Sequence, residues 1–135
     1  MIRFAFVFVL SAIGFANPAL AQWAAPQARA ISGADGFVVI PGAALPPAKG
    51  RVYRAVFDAT RAADQPDQLV PALNMAGSEL NGLAASHLPL GQAKFVVVFH
   101  GSAVDGILDA SHHRDKFHAD NPNLPVLEQL GKAGV

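Results

Sequence analysis

A chain of 135 residues with ten basic and ten acidic side chains has no charge excess with which to grip nucleic acid or an anionic membrane. It contains no cysteine, which excludes disulfides, thiolate metal sites and a cysteine nucleophile within these residues. With 52% hydrophobic residues, apolar burial alone must hold what is, at this length, one domain.

Met1-Ile2-Arg3 is a short basic start, and Phe4 to Ala16 is an apolar run broken only by Ser11 and Gly14. Asn17-Pro18 ends the run, and Ala19-Leu20-Ala21 fits the small-x-small rule for signal peptidase. A spanning helix needs roughly 20 apolar residues, so the run is too short for an anchor. Residues 1–21 are therefore expected to be a secretory signal peptide, cut before Gln22. A single Arg and no acidic residue fit a bacterial secretory signal better than a mitochondrial one. This implies a periplasmic protein with no membrane attachment after cleavage. Loss of Arg3 leaves nine basic against ten acidic side chains, again without a basic stripe.

Residues 22–50 are rich in Ala, Pro and Gly and read as a leader or arm, with Trp23 part of it. Within them Gly36 to Pro41 fits a short edge strand or a packed arm. Arg51 to Phe57 is the first strand, ending at Asp58-Ala59-Thr60. Asp67 is a candidate N-cap. Leu69, Leu73, Ala76, Leu80 and Leu83 recur at helical spacing, with Pro71 tolerated near the first turn. Asn74 and Asn81 fall outside that stripe and are expected to be exposed, with Asn81 within reach of a subunit contact. Lys94 to Phe99 is the second strand. Its unbroken apolar run predicts cover on both faces. A helix with Val104, Ile107, Leu108 and Ser111 on one side follows. Asn121-Pro122-Asn123 is a turn, and Leu124, Leu127 and Leu130 mark a last helix, with Lys132 in its final turn and Gly134 at its cap.

Strands separated by helices imply right-handed crossovers and a parallel sheet. The expected fold is a three-layer α/β domain over residues 51–135, with a mainly parallel sheet and helices on both faces. A further strand is expected to begin near Val135, so the domain is expected to be incomplete, or its last strands to come from elsewhere. Such a chain, with exposed edges and an uncovered apolar face, is expected to associate or to be poorly stable.

In open parallel sheets, ligands bind beyond the carboxyl ends of the strands. Two such ends carry the candidate ligand-binding residues: Asp58 and Thr60 on the first, His100, Gly101 and Ser102 on the second. Gly101 permits a sharp turn. Ser102 can cap the following helix, whose N-terminus favours an anion and a neutral His100. His100 can instead simply hydrogen-bond a neighbouring loop. A Ser102–His100–Asp105 triad is set aside, because residues so close on one turn do not reach relay geometry. His112, His113 and His118 lack the i, i+4 spacing of paired metal ligands and read as a solvated helix end. No metal and no cofactor is expected.

The Tyr53 to Asp58 strand, the Leu69 to Leu83 helix with Asn74, the strand into Phe99-His100-Gly101, and Asn121-Pro122-Asn123-Leu124 followed by Leu127, Leu130 and Ala133-Gly134-Val135 together resemble the DsrE/DsrF-like family in its exported bacterial branch. The resemblance covers roughly residues 50–135. It implies a three-layer α/β domain that assembles as a trimer or hexamer. It also implies sulfur metabolism, in which a cysteine carries a persulfide and hands it to a sulfur-carrier protein. In the exported branch that cysteine follows the Ala-Gly-Val segment, and this sequence stops before it. The expectation is thus a periplasmic sulfur-relay or sulfur-compound-binding protein with no catalytic residue assigned. The alternative is a non-enzymatic small-ligand or protein-binding module on the same fold.

Overall fold

The computed structural model describes residues 24–135. The expected signal peptide, its cleavage site and Trp23 lie outside the described residues. Strand β1 spans Tyr53–Ala59, helix α1 Pro71–Ala85, strand β2 Ala93–Phe99, helix α2 Ala110–Phe117 and helix α3 Asn123–Ala133. Short 3₁₀ segments, Leu90–Gln92 and Gly101–Ile107, flank β2. The two strands pair in parallel, Tyr53 against Ala93 through Ala59 against Phe99. The chain is therefore a mixed α/β fold built on one βαβ crossover, as the alternation of strand and helix patterns predicts.

Successive side chains of a strand point to opposite faces. On one face Phe57, Ala59, Ala93 and Phe95 are buried, and the Phe57 and Phe95 rings meet edge to face at 5.4 Å. Helix α1 packs on this face through the stripe read from the sequence: Leu73, Ala76, Leu80 and Leu83 are all buried. Helix α3 packs against α1 with Val126 and Leu130. The other face carries Arg54, Val56, Asp58, Lys94, Val96 and Val98, all exposed; Val56 is 70% accessible and Val96 53%. The expected helices on both faces are thus seen on one face only among the described residues. A continuous apolar run marks a strand able to be covered twice, and it does not by itself supply the second cover.

The segment before β1 is more than a linker. Asn81, expected on the surface, is fully buried. Its Oδ1 accepts from the Ala30 and Ile31 N–H groups at 2.9 and 2.8 Å, and its Nδ2 donates to the Ile31 and Asp35 carbonyls. Two turns earlier, the half-buried Asn74 accepts from the Asp35 N–H. Ile31 is thereby seated in the core, with its side chain against Gly77, a position where a Cβ would strike Ala34. Phe37 pairs with Gln27 in a single antiparallel bridge, so Gly36 to Pro41 is a packed arm rather than a strand. Gln92 holds the end of this segment, donating to the Ala48 and Arg51 carbonyls and accepting from the Gly50 N–H.

Helix starts also differ from expectation. Val70, not Asp67, is the N-cap of α1, with Pro71 in its first turn. Val104, Ile107 and Ser111 do not share one helix. A 3₁₀ segment ends at Ile107, and α2 begins after Asp109, whose carboxylate accepts from the His112 N–H. That backbone bond, then the Ser111 hydroxyl and the His112 ring, hold the Asp109 carboxyl well below the usual carboxylate range. Helix α3 ends as expected, with Gly134 at φ 90°.

Asn81→Ala should strip buried partners from the Ala30, Ile31 and Asp35 backbone. At about 1–3 kcal/mol per orphaned group, partly relieved by water, a loss of about 3 kcal/mol is expected. Denaturant unfolding measures it, and limited proteolysis should show cleavage moving into residues 24–50 while 51–135 stays protected.

Candidate functional site

Both strands end at the same edge of the sheet, and two chain segments leave from there: residues 60–70 after β1 and the 3₁₀ segment after β2. His100 is extended, φ −154°, and its N–H donates to the Ala59 carbonyl at 2.9 Å. It therefore stands at the strand's carboxyl end, where the sequence places it. Its ring Nε2 lies 2.5 Å from Asp58 Oδ1. The imidazole N–H donates and the carboxylate accepts. Both side chains are more than half exposed, on the uncovered sheet face. The 3₁₀ segment offers no α-helical N-terminus, so a carboxylate, not a row of helix N–H groups, is the ring's nearest polar partner.

The other three candidates build the corner. Gly101 has φ 59°, and a Cβ there would lie 2.6 Å from the Thr60 carbonyl oxygen, so the two strand ends touch through backbone. Ser102 Oγ accepts from the Ala62 N–H at 2.9 Å, tying the second strand's exit to the first's. Thr60, Gly101 and Ser102 thus close the crossover, while Asp58 and His100 form a surface pair beside it. None of the five lines the cavity described next.

That cavity, of about 200 Å³, lies between the post-β1 loop and α2. It is lined by Ala62 to Pro66, Gln68 and Val70, by Asp105 and Gly106 of the 3₁₀ segment, by His113 and Phe117 of α2, and by Asn123. A pair of asparagines frames it. Asn121 Nδ2 donates to the Gly106 and Leu108 carbonyls, and its Oδ1 accepts from the Asn123 N–H and Nδ2. Asn123 Oδ1 in turn accepts from the Val70 N–H at 2.8 Å. Gly106 permits this closeness, since a Cβ there would meet the Val70 side chain at 2.6 Å.

His113 is 3% accessible. Its Nδ1 donates to the Ala119 carbonyl at 3.0 Å, which leaves Nε2 as the nitrogen it can offer the cavity. Its ring lies 4.8 Å from that of Phe117. Lys116 bonds Asp105 Oδ1 at 2.7 Å and sits 5.1 Å from the Phe117 ring centre. The three histidines of this helix have separate duties: His112 pairs with Asp109, His113 is buried, and His118 is the left-handed cap of α2. No set of three or more metal-ligating side chains stands together among the described residues.

Sequence reasoning located the strand ends but not the cavity. Asn121-Pro122-Asn123 read as a turn, although two amides flanking a proline before a helix can bond back across the turn. The i, i+4 pair His113 and Phe117 was the signal for a buried face on an otherwise polar helix. No protein-family model matches the chain, and neither a curated protein nor a solved structure is significantly similar to it.

Gly101→Ala should destabilise the protein by more than 2 kcal/mol, as strain at positive φ adds to the clash with Thr60. His100→Gln should change stability by no more than about 1 kcal/mol, because an exposed pair contributes little. Paired thermal unfolding curves compare the two.

Proposed function

We propose that this chain is an exported α/β binding module that takes a small ligand in the crevice beyond the carboxyl ends of its parallel strands. The observation that carries this reading is the cavity between the post-β1 loop and α2, which presents a buried imidazole. Ligand sites in open parallel sheets form at this edge. A concave, mostly apolar lining with a few convergent polar groups is the usual make-up of a small-molecule site.

A DsrE/DsrF-like plan is the fold we propose around it, with a second helical layer, or a neighbouring subunit of a homo-oligomer, over the Val56, Val96 and Val98 face. Exposed apolar faces of this kind ordinarily find cover. Sulfur-compound binding is compatible with the crevice. Persulfide carriage needs a thiolate, which these 135 residues do not contain, so a relay would draw its thiol from outside these residues. Export rests on the basic start, apolar run and Ala-Leu-Ala of residues 1–21.

Two outcomes are expected. In a fragment screen followed by amide NMR, shifts should cluster at residues 62–70, 105–106 and 113–117. Ala63→Phe, which fills the cavity, should abolish them with little change in melting temperature. Shifts confined to other surfaces would refute the site. N-terminal sequencing of the protein recovered from the periplasm should begin at Gln22, whereas recovery of intact Met1 in membranes would refute export.

A further inference from the structure

We propose that the outer edge of β1 pairs antiparallel with β1 of a second copy of this chain, joining two molecules into one continuous sheet about a twofold axis at Val56. The contact shares no residue with the crevice. It leaves the valine face of the joined sheet free for the cover proposed above. Three observations carry it.

First, the edge is open and fit to pair. The Ala59 carbonyl accepts from the His100 N–H, so the backbone groups of Ala59 face β2, and in the parallel ladder those of Phe57, Ala55 and Tyr53 do too. The N–H and C=O groups of Arg54, Val56 and Asp58 therefore point away from β2, and no third strand takes them among the described residues. The strand carries neither a proline nor a bulge, two of the devices that keep an edge from pairing. Second, a concavity of about 370 Å³ runs along this edge. Its lining takes Val52 and Arg54 from one face of β1 and Tyr53, Ala55 and Phe57 from the other, and the two sets meet at the strand's outer side. Third, the edge is complementary to itself. Arg54 lies beside Lys94 in the parallel register, both are exposed, and neither forms an ion pair among the described residues. Adjacent like charges weaken a sheet, and an opposite charge across the strands supports it. Antiparallel pairing centred on Val56 sets Arg54 directly opposite the partner's Asp58, twice by symmetry, and the small Ala55 opposite the partner's Phe57. A register shifted by two residues either way sets Arg54 against the partner's Val56 or the partner's Thr60 instead. Asp58 Oδ1 accepts from the His100 ring, and Oδ2 has no hydrogen-bond partner among the described residues, so the carboxylate has an oxygen for each neighbour. Strand β2 offers no such match, because Ala93–Phe99 contains Lys94 and no carboxylate.

The test is sedimentation equilibrium of the full chain. Dimers are expected. Arg54→Asp and Asp58→Arg should each weaken the dimer about tenfold or more, because each turns two attractive pairs into repulsive ones. An equimolar mixture of the two variants should restore dimers, since every cross-strand pair is again opposite in charge. A role of these residues in stability alone would not be rescued by mixing. The chain has no cysteine, so Val56→Cys gives a second reading that leaves the charges in place. Its thiols lie across the axis with Cα atoms about 5.5 Å apart and should form an intermolecular disulfide on oxidation. Those of Val96→Cys, about 14 Å apart across the intervening strands, should not. A monomer at every concentration, variants that dimerise as the wild type does, or a mixture that stays monomeric would overturn the pairing. Cross-linking through Val96→Cys as readily as through Val56→Cys would also overturn it, in favour of copies packed by their valine faces.

Discussion

The first turn of a helix leaves backbone N–H groups without partners inside the helix. At α1 that problem arises in the interior, because Val70 is 2% accessible. Its N–H is satisfied from across the molecule by Asn123 Oδ1. Asn123 is oriented by Asn121, and Asn121 also binds the carbonyls of Gly106 and Leu108. One chain of amides therefore joins the start of α1, the segment leaving β2 and the start of α3. Leaving any of these buried groups unpaired costs about 1–3 kcal/mol each, more than the net gain from a typical hydrogen bond. The clamp is consequently a constraint on position as well as a source of stability. It fixes the separation between the post-β1 loop and α2, and that separation is the cavity.

Asn81 plays the same part on the opposite side of α1. Four bonds from one side chain hold residues 30 to 35, which lets Ile31 and Ala34 complete the core that α1 begins. The sheet itself is small, two strands, and it buries one face. Its interior therefore comes from α1, α3 and the arm, and each is placed by a buried amide rather than by apolar contact alone. The uncovered face keeps its valines between Arg54 and Lys94 at one end and the Asp58–His100 pair at the other.

Periodicity made the strands, α1 and α3 legible, because apolar spacing is a direct record of which face is buried. The parallel pairing followed from the order of the elements. The anchor that seats the arm and the clamp were hidden for one reason: asparagine carries no hydrophobic signal, so Asn81, Asn121 and Asn123 read as surface or turn residues. Whether a polar side chain is buried depends on the backbone groups that another segment brings to it, and those are set by the tertiary fold. The strand-end candidates illustrate the complementary limit. The sequence located Asp58, Thr60, His100, Gly101 and Ser102 at the right edge, yet three of them close the crossover, and the concavity opens beside them.

The claim that the asparagine clamp sets the crevice is tested most directly by native-state hydrogen exchange at the Val70 amide. If the bond to Asn123 is a fixed part of the fold, this N–H exchanges as slowly as the amides in the middle of α1 and β2, and Asn123→Ala accelerates it by at least tenfold while the mid-strand amides of β2 remain protected. Exchange of the Val70 amide in the intact protein at the rate of the exposed loop residues before it would contradict the account.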